Sequence, residues 1–557
     1  MFGFRRSLVQ TVVLLSWALK YWTFGNYVVW CILAVTITLM ILLTLGTYDH
    51  DYWVDRGVFS PPAQPFLGHI GPLLSFKEQT GNLFKRFYDT YKNERFIGIH
   101  QFFARTLLVH DPELIRRICV NDFHHFTDRG FYYHKDVDPM VESLVFLRGA
   151  EWRRLRAKIS PVFSPNKLRG MYPIIEKVAD KFVIKIKSML NKDNRNGNFV
   201  REQGTAEDNS VLVNGQRFFE GYTADAIVPC AFGFKSDVMD NENHPVAVAL
   251  RSFYEMSLFN IFQKTVQQLW PAFAMFFRIR IIPKKTENYF YGLIVNVLRS
   301  REKGEQVRRS DFIEMMMTLR EDSSNNNKKS VEPTDVVITD MLIAANAFIL
   351  LLGGFETSSS TLAFMVMELA AHPHIQEKMR AEVLEVMERH GGNIGYEALQ
   401  ELTYMDMVIQ ETLRLYPPFP FIQRECTKDY VIPGTRVVVE KGTSVFFPTM
   451  ALHRDERYFK DGDAFVPERW ASDETPPAGV YMPFGDGPRY CIGKRFASMQ
   501  MKCCLARILQ HVRFSPALAN KLGEQSAGRR GEPFAADPRS PQTLHPADSR
   551  VRISLIN

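Results

Sequence analysis

From about Val337 to Ala371 the chain reads as one helical pattern, apolar on nearly all sides, and His372-Pro373 ends it. At 1.5 Å per residue such a helix spans roughly 50 Å. A helix with no polar face is covered all round, so the rest of the fold has to be built about it. With 557 residues there is chain enough to do that and to enclose a ligand entirely. Other helical patterns alternate with short strand-like runs. From Tyr430 the chain becomes strand- and loop-rich, with turns at Ile432-Pro433-Gly434-Thr435 and Pro467-Glu468-Arg469-Trp470. The expected class is mainly α with smaller β-sheets, an α+β fold. Two polar stretches, 191–215 and 322–334, read as loops.

Residues 27–45 carry no charge and are almost wholly apolar. About 19 residues suffice to cross a hydrocarbon core of roughly 30 Å. An earlier apolar segment, 7–19, is closed by Lys20. Neither is followed by a small-residue cleavage site, so residues 1–47 read as an uncleaved membrane anchor region and 48–557 as the body. Pro61, Pro62, Pro65 and Gly68 form a stiff exit between them. For a single span, Arg5, Arg6 and Lys20 ahead of it favour a cytosolic N-terminus and a lumenal body. A hairpin using both apolar segments instead keeps Arg5, Arg6 and the body on the cytosolic side. Residues 269–282, dense in aromatics, read either as a second membrane contact or as core.

The formal net charge of +7 is too diffuse for a nucleic-acid binder and suits an acidic protein partner, an anionic membrane or a plain solvated surface. Seven cysteines, with no CxxC pair, argue against a disulfide framework or structural zinc and place the body in a reducing compartment.

One of those cysteines has an unusual setting: Phe484-Gly485-Asp486-Gly487-Pro488-Arg489-Tyr490-Cys491-Ile492-Gly493. The glycines let the backbone turn tightly against a flat ligand. Arg489 and the start of a helix at Lys494 both favour a thiolate at Cys491. That is the setting an axial haem thiolate needs. In the middle of the long helix stand Gly353-Gly354-Phe355-Glu356-Thr357. Two glycines there cost roughly 1 kcal/mol each against alanine. They read as a helix–helix contact, or as a local bulge that makes room for a diatomic ligand beside iron. In the second case Glu356 and Thr357 form an acid–alcohol pair able to relay protons.

The cysteine loop resembles the FxxGxRxCxG segment of the cytochrome P450 family, and Gly353 to Thr357 resembles that family's (A/G)Gx(E/D)T helix motif. The resemblance runs from about Gly57 onward, and its wording is similar to animal microsomal members of the insect detoxification type. It implies a P450-like fold around a buried haem b, with Cys491 as the iron ligand and Glu356 and Thr357 as the catalytic pair. It carries Trp152, Arg156, Arg424, Arg489, Gly353, Gly354 and Phe484 to the cofactor, with Arg129 a weaker candidate for the propionates. It assigns Glu411, Arg414 and Arg469 to a structural cluster, where the residues alone read equally as a surface ion pair. Arg153, Arg154, Lys158, Lys494 and Arg495 fall on the face where an acidic electron donor docks, or form a solvated basic face.

The implied reaction inserts one oxygen atom of O2 into an apolar small molecule, xenobiotic or lipid-like. Electrons come from NADPH through a separate NADPH–cytochrome P450 reductase, with cytochrome b5 a further candidate donor. The implied location is the endoplasmic reticulum membrane, with the catalytic domain facing the cytosol and no nucleic-acid partner. No GxGxxG follows a strand, which leaves no sign of a fused reductase. A haem-thiolate isomerase or dehydratase and a non-catalytic haem- or lipid-binding protein remain as alternatives. Residues 517–538 depart from the family's closing pattern.

Overall fold

A computed structural model describes residues 27–191, 210–254, 271–304, 311–325, 336–472, 474–517, 533–540 and 542–556, with Val13, Gln263, Val266 and Gln267 singly. The 7–19 segment (but for Val13), most of 191–215 and most of 517–538 lie outside the described residues. Helix α1, Tyr27–Gly46, is the uncharged stretch, and its apolar side chains stand exposed: Val35 is 67% and Ile32 60% accessible. It is long and apolar enough to cross a membrane. Just past its end, Asp49 pairs with Arg105 at 2.6 Å, and Glu440 accepts from Arg56 and Arg105, so the exit segment is tied to the body.

The first sheet has the order β1-β2-β7-β4: β1 (Phe96–Gln101), β2 (Ala104–Val109), β7 (Ser444–Phe447) and β4 (Ile422–Glu425). Only the β2–β7 pairing is parallel. A second sheet sets β9 (Arg550–Leu555) between β3 (Ser210–Asn214) and β8 (Val512–Pro516), all antiparallel. β3 corrects the expectation of an unbroken loop over 191–215: Val211 and Val213 are buried, an alternation that earns its burial only once β9 arrives from the far end of the chain. A short ribbon of β5 (Tyr430–Val431) and β6 (Val438–Val439) completes the strands described. Likewise the helix Phe312–Asn325 reaches into the second expected loop.

Helices α2 (Gly149–Ile159) and α3 (Gly215–Phe232) precede the central α4, Asp340–Ala371. α4 begins three residues later than its pattern suggests, because Thr339 caps it, its Oγ accepting from Leu342 N at 3.0 Å. Its side chains are buried along nearly the whole length, against α3, α5 (Thr403–Leu415) and α6 (Lys494–Ile508). The expected bulge at the glycines is absent: α4 is continuous there. Gly354 is instead fixed by packing, since a Cβ would lie 3.0 Å from Ile227 of α3. Gly353 has open space where a side chain would stand. Room beside α4 thus comes from the missing side chain. Of residues 269–282, Leu269 and Trp270 lie outside the described residues. The short helix Pro271–Phe276 buries Ala274 and exposes Phe276 (80%).

Candidate haem-thiolate site

The loop before α6 is held by its own backbone. Gly485 N donates to Met482 O at 3.0 Å, Cys491 N to Phe484 O at 2.8 Å, and Tyr490 N to Gly487 O at 3.0 Å. Asp486 Oδ1 caps the short turn Gly487–Arg489 by accepting from Gly487 N at 2.7 Å. Gly487 sits at φ +68°, and a Cβ there would fall 1.8 Å from the Cys119 carbonyl oxygen. Only glycine lets the loop come that close. The result presents Cys491 to a single connected cavity of about 1430 Å³. Protein packs round the thiol on its other sides, and that burial pushes its pKa up. The Gly493 N–H and the Arg129, Arg156 and Lys494 cations oppose the shift and favour thiolate.

Gly353, Gly354 and Thr357 of α4, Trp152 and Arg156 of α2, and Phe484, Arg424 and Arg489 line the same cavity. Glu356 does not: it is buried, and its carboxylate meets His545 at 2.7 Å. Glu411, Arg414 and Arg469 lie away from the cavity and touch one another. Glu411 holds Arg414 through two contacts of 2.8 and 2.9 Å and Arg469 through one of 3.0 Å. Glu411 and Arg414 are fully buried.

The arginines decide what the cavity fits. Arg129, Arg156, Arg424 and Arg489 all border it. Burial, then neighbouring guanidiniums, drive Arg129 down to about 9 and Arg489 to about 8. Arginine keeps its proton in proteins, so the crowding is a repulsion that an anion would relieve. Among the described residues, Arg156 Nη2 and Arg424 Nε are buried with no hydrogen-bond partner. Buried donors of this kind are rarely left unmade. Two unused guanidinium donors, a cysteine and a large, mostly apolar space suit a prosthetic group with carboxylates and an iron that takes sulfur. Arg129 directs its donors to the carbonyls of Val145 (3.3 Å) and Arg489 (3.0 Å), and Arg489 is likewise engaged. Its donors go to the carbonyls of Thr127 (2.8 Å), Leu147 (2.8 Å) and Leu144 (3.4 Å), and its guanidinium lies 3.9 Å from the Trp152 ring. It therefore braces the wall more than it offers free donors.

Sequence reasoning gave no role to Thr543 or His545. No local signal marks them, because their contacts are made across the fold. Arg153, Lys494 and Arg495 are exposed and Arg154 and Lys158 half-buried, on the two helices that flank the cysteine loop.

A family model described as cytochrome P450 matches residues 60–526. Cytochrome P450 6j1 of Blattella germanica is 31% identical over 503 residues, covering 90% of this chain and 94% of the relative. Cytochrome P450 6B1 of Papilio polyxenes is 30% identical over 517 residues, covering 90% and 95%. Cytochrome P450 6a8 of Drosophila melanogaster is 33% identical over 525 residues, covering 91% and 95%.

Proposed function

The chain belongs to the cytochrome P450 family and is a P450 monooxygenase, and on that premise we propose that Cys491 is the thiolate that holds its haem and that electrons reach it from a separate NADPH-dependent reductase. The observation that carries the assignment is that Cys491 shares one cavity with under-used guanidiniums and with the open side of α4 at Gly353. Haem held by a thiolate supplies the activation of O2 for insertion of one oxygen atom into a substrate.

The protein's own work is to bind, orient and deliver protons. Arg156 and Arg424 hold the carboxylates of the prosthetic group through charge-assisted hydrogen bonds, with Arg129 adding charge beside them. Arg489, Trp152 and Phe484 shape the wall. The Gly493 N–H bonds the Cys491 sulfur and moderates its charge. Gly353 leaves space for a diatomic ligand. Thr357 Oγ1 donates to the Gly353 carbonyl at 2.6 Å. Its oxygen is left to accept from a donor in the cavity, and the hydroxyl must rotate off that carbonyl to give up its proton. Glu356 supports this proton route from within α4. Glu411, Arg414 and Arg469 keep the cysteine-loop side of the fold in place.

The substrate is an apolar small molecule. The cavity exceeds the roughly 300–1,000 Å³ of an ordinary ligand pocket, leaving space for substrate beside a prosthetic group, and Phe131, Phe146, Ile349, Leu350 and Phe419 supply an apolar wall. The exposed basic residues around the cysteine loop suit an acidic donor, the reductase or cytochrome b5. α1 anchors the enzyme in the endoplasmic reticulum membrane with the body in the cytosol. Protease digestion of the body in sealed microsomes checks this orientation, and protection would overturn it.

The reduced, CO-bound spectrum of wild type against Cys491→Ala tests the ligand. The red-shifted thiolate band is expected in wild type only. NADPH and O2 consumption with added reductase and a fluorogenic alkoxycoumarin tests the reaction. Turnover without NADPH, or none with it, would sink the proposal.

A further inference from the structure

The acid of α4 reaches the cavity through another residue. Glu356 Oε1 lies 2.7 Å from His545 Nε2. The same nitrogen lies 2.9 Å from Thr543 Oγ1, and Thr543, unlike Glu356, is on the cavity wall. The backbone around the ring is tied down. Ser360 Oγ donates to Leu544 O at 2.5 Å, Leu544 N to Pro418 O at 2.8 Å, and Asp537 N to His545 O at 2.8 Å. Thr543 Oγ1 has Ser540 Oγ at 3.1 Å as a further neighbour.

Three carboxylates face the imidazole: Glu356 from α4, Glu220 from α3 and Asp537 from its own segment. The cations nearby pair with the second and third of these carboxylates, which leaves Glu356 as the imidazole's direct partner. Arg217 and Arg251 bind Glu220 at 3.1 and 2.7 Å, and Arg539 binds Asp537 at 2.8 Å. Burial opposes charging the ring, but the carboxylates prevail and hold His545 above the ordinary histidine value of 6.5.

We propose that His545 is the positioning residue that passes protons to the cavity through the Thr543 hydroxyl, with Glu356 as its counter-ion and not the direct donor. This rests on the monooxygenase reading, which requires protons at this cavity. In the step, the Nε2 proton moves to Thr543 Oγ1 as the Thr543 hydroxyl proton leaves for an acceptor in the cavity. The imidazolium becomes a neutral imidazole. Solvent then recharges it, since the side chain is 17% exposed. One proton enters, one leaves, and no electrons move. Adjacent helix residues point about 100° apart, so Glu356 and Thr357 do not face the cavity together. The imidazole links Glu356 instead to the Thr543 hydroxyl on the cavity wall.

His545→Gln keeps a donor but cannot ionise. With reductase and the same alkoxycoumarin, product per NADPH should fall about tenfold with peroxide rising, and the wild-type decline in coupling with rising pH should flatten. If Glu356 were the direct donor, freeing it in His545→Gln would leave coupling within twofold of wild type, which would overturn the inference. Glu356→Gln should lower coupling too, and the double variant should be no worse than His545→Gln alone; additive losses would count against a shared route. A readout independent of turnover is the thermal midpoint. A histidine value raised on folding stabilises below 6.5, and that contribution is lost as pH climbs through the folded value. The midpoint difference between wild type and His545→Gln should therefore shrink as pH rises from 6 to 9. A constant difference would refute the ion pair. Absence of the thiolate band in wild type would instead bring down the monooxygenase reading and leave the midpoint test standing.

Discussion

Replacing Glu411 by glutamine changes one oxygen to an NH2 group in a site built wholly of donors. Oε1 accepts from Arg414 Nη2 (2.8 Å), Arg469 Nε (3.0 Å) and Val466 N (2.8 Å). Oε2 accepts from Arg414 Nε and Trp470 Nε1, both at 2.9 Å. Whichever way the amide turns, two or three of these contacts become donor against donor. The Arg414 guanidinium, fully buried, also loses its counter-charge. Its contacts to the carbonyls of His453 (2.8 Å), Gly462 (2.5 Å) and Ala464 (2.8 Å) cannot neutralise it. Removing one partner of a buried pair costs about 3–5 kcal/mol. Unfolding entropy of about 2.1 cal/mol/K per residue over about 500 residues gives about 1 kcal/mol per degree, hence a midpoint drop of about 3–5 °C. Trp470, bonded to Glu411 and 4.6 Å from the Tyr481 ring, is a local fluorescent reporter. The assay is a thermal melt of the full chain in detergent, with haem content measured alongside. A midpoint within about 1 °C of wild type, at equal haem content, would refute the view that the Glu411 charge holds this cluster together.

Other outcomes follow from the geometry of the cavity and its supports. Gly487→Ala meets the Cys119 carbonyl at 1.8 Å and adds about 1–2 kcal/mol for a left-handed alanine; haem incorporation should be lost, and normal incorporation would contradict the close approach. Arg156→Ala and Arg424→Ala each remove a charge-assisted hydrogen bond of about 1.5–3 kcal/mol, so haem dissociation, followed by transfer to a scavenging apoprotein, should speed about 10- to 100-fold. His453 is locked neutral: Nδ1 donates to Arg414 O (3.2 Å), Nε2 accepts from Met482 N (2.9 Å), and burial drives its value down to about 3. The unfolded chain takes up a proton near 6.5 that the folded chain refuses, so stability falls by about 1.4 kcal/mol per pH unit below that point. In urea melts His453→Asn should lose this slope between pH 6 and 4.5, and an unchanged slope would rule the account out.

The features legible in the sequence are those whose cause is local. The glycines at 485 and 487 announce a tight loop because backbone sterics act residue by residue, and the covering of α4 follows from its lack of a polar face. The helix spacing of Trp152 and Arg156 was readable for the same reason. What escaped is what depends on partners far along the chain. β3 is a strand only because β9 pairs with it. At Gly353 the helix runs on without a bulge, and Thr223 and Gln500 donate to the Phe355 and Gly354 carbonyls at 3.0 and 3.2 Å. The direction of Glu356 was foreseeable in part, since side chains at i and i+1 on a helix cannot share a face. That His545 would meet it was not.

The placing of β9 bears on how the protein is made. β9 is the middle strand of its sheet, and Thr543, just ahead of it, lies on the cavity wall. While the ribosome still holds Arg550–Leu555, β3 and β8 have no partner and the cavity stays open at that wall. This half of the molecule therefore cannot close until Arg550–Leu555 has left the ribosome. Until then β3 and β8 lack the strand that joins them. A fusion that restrains β9 should therefore hinder haem loading more than one placed ahead of α1.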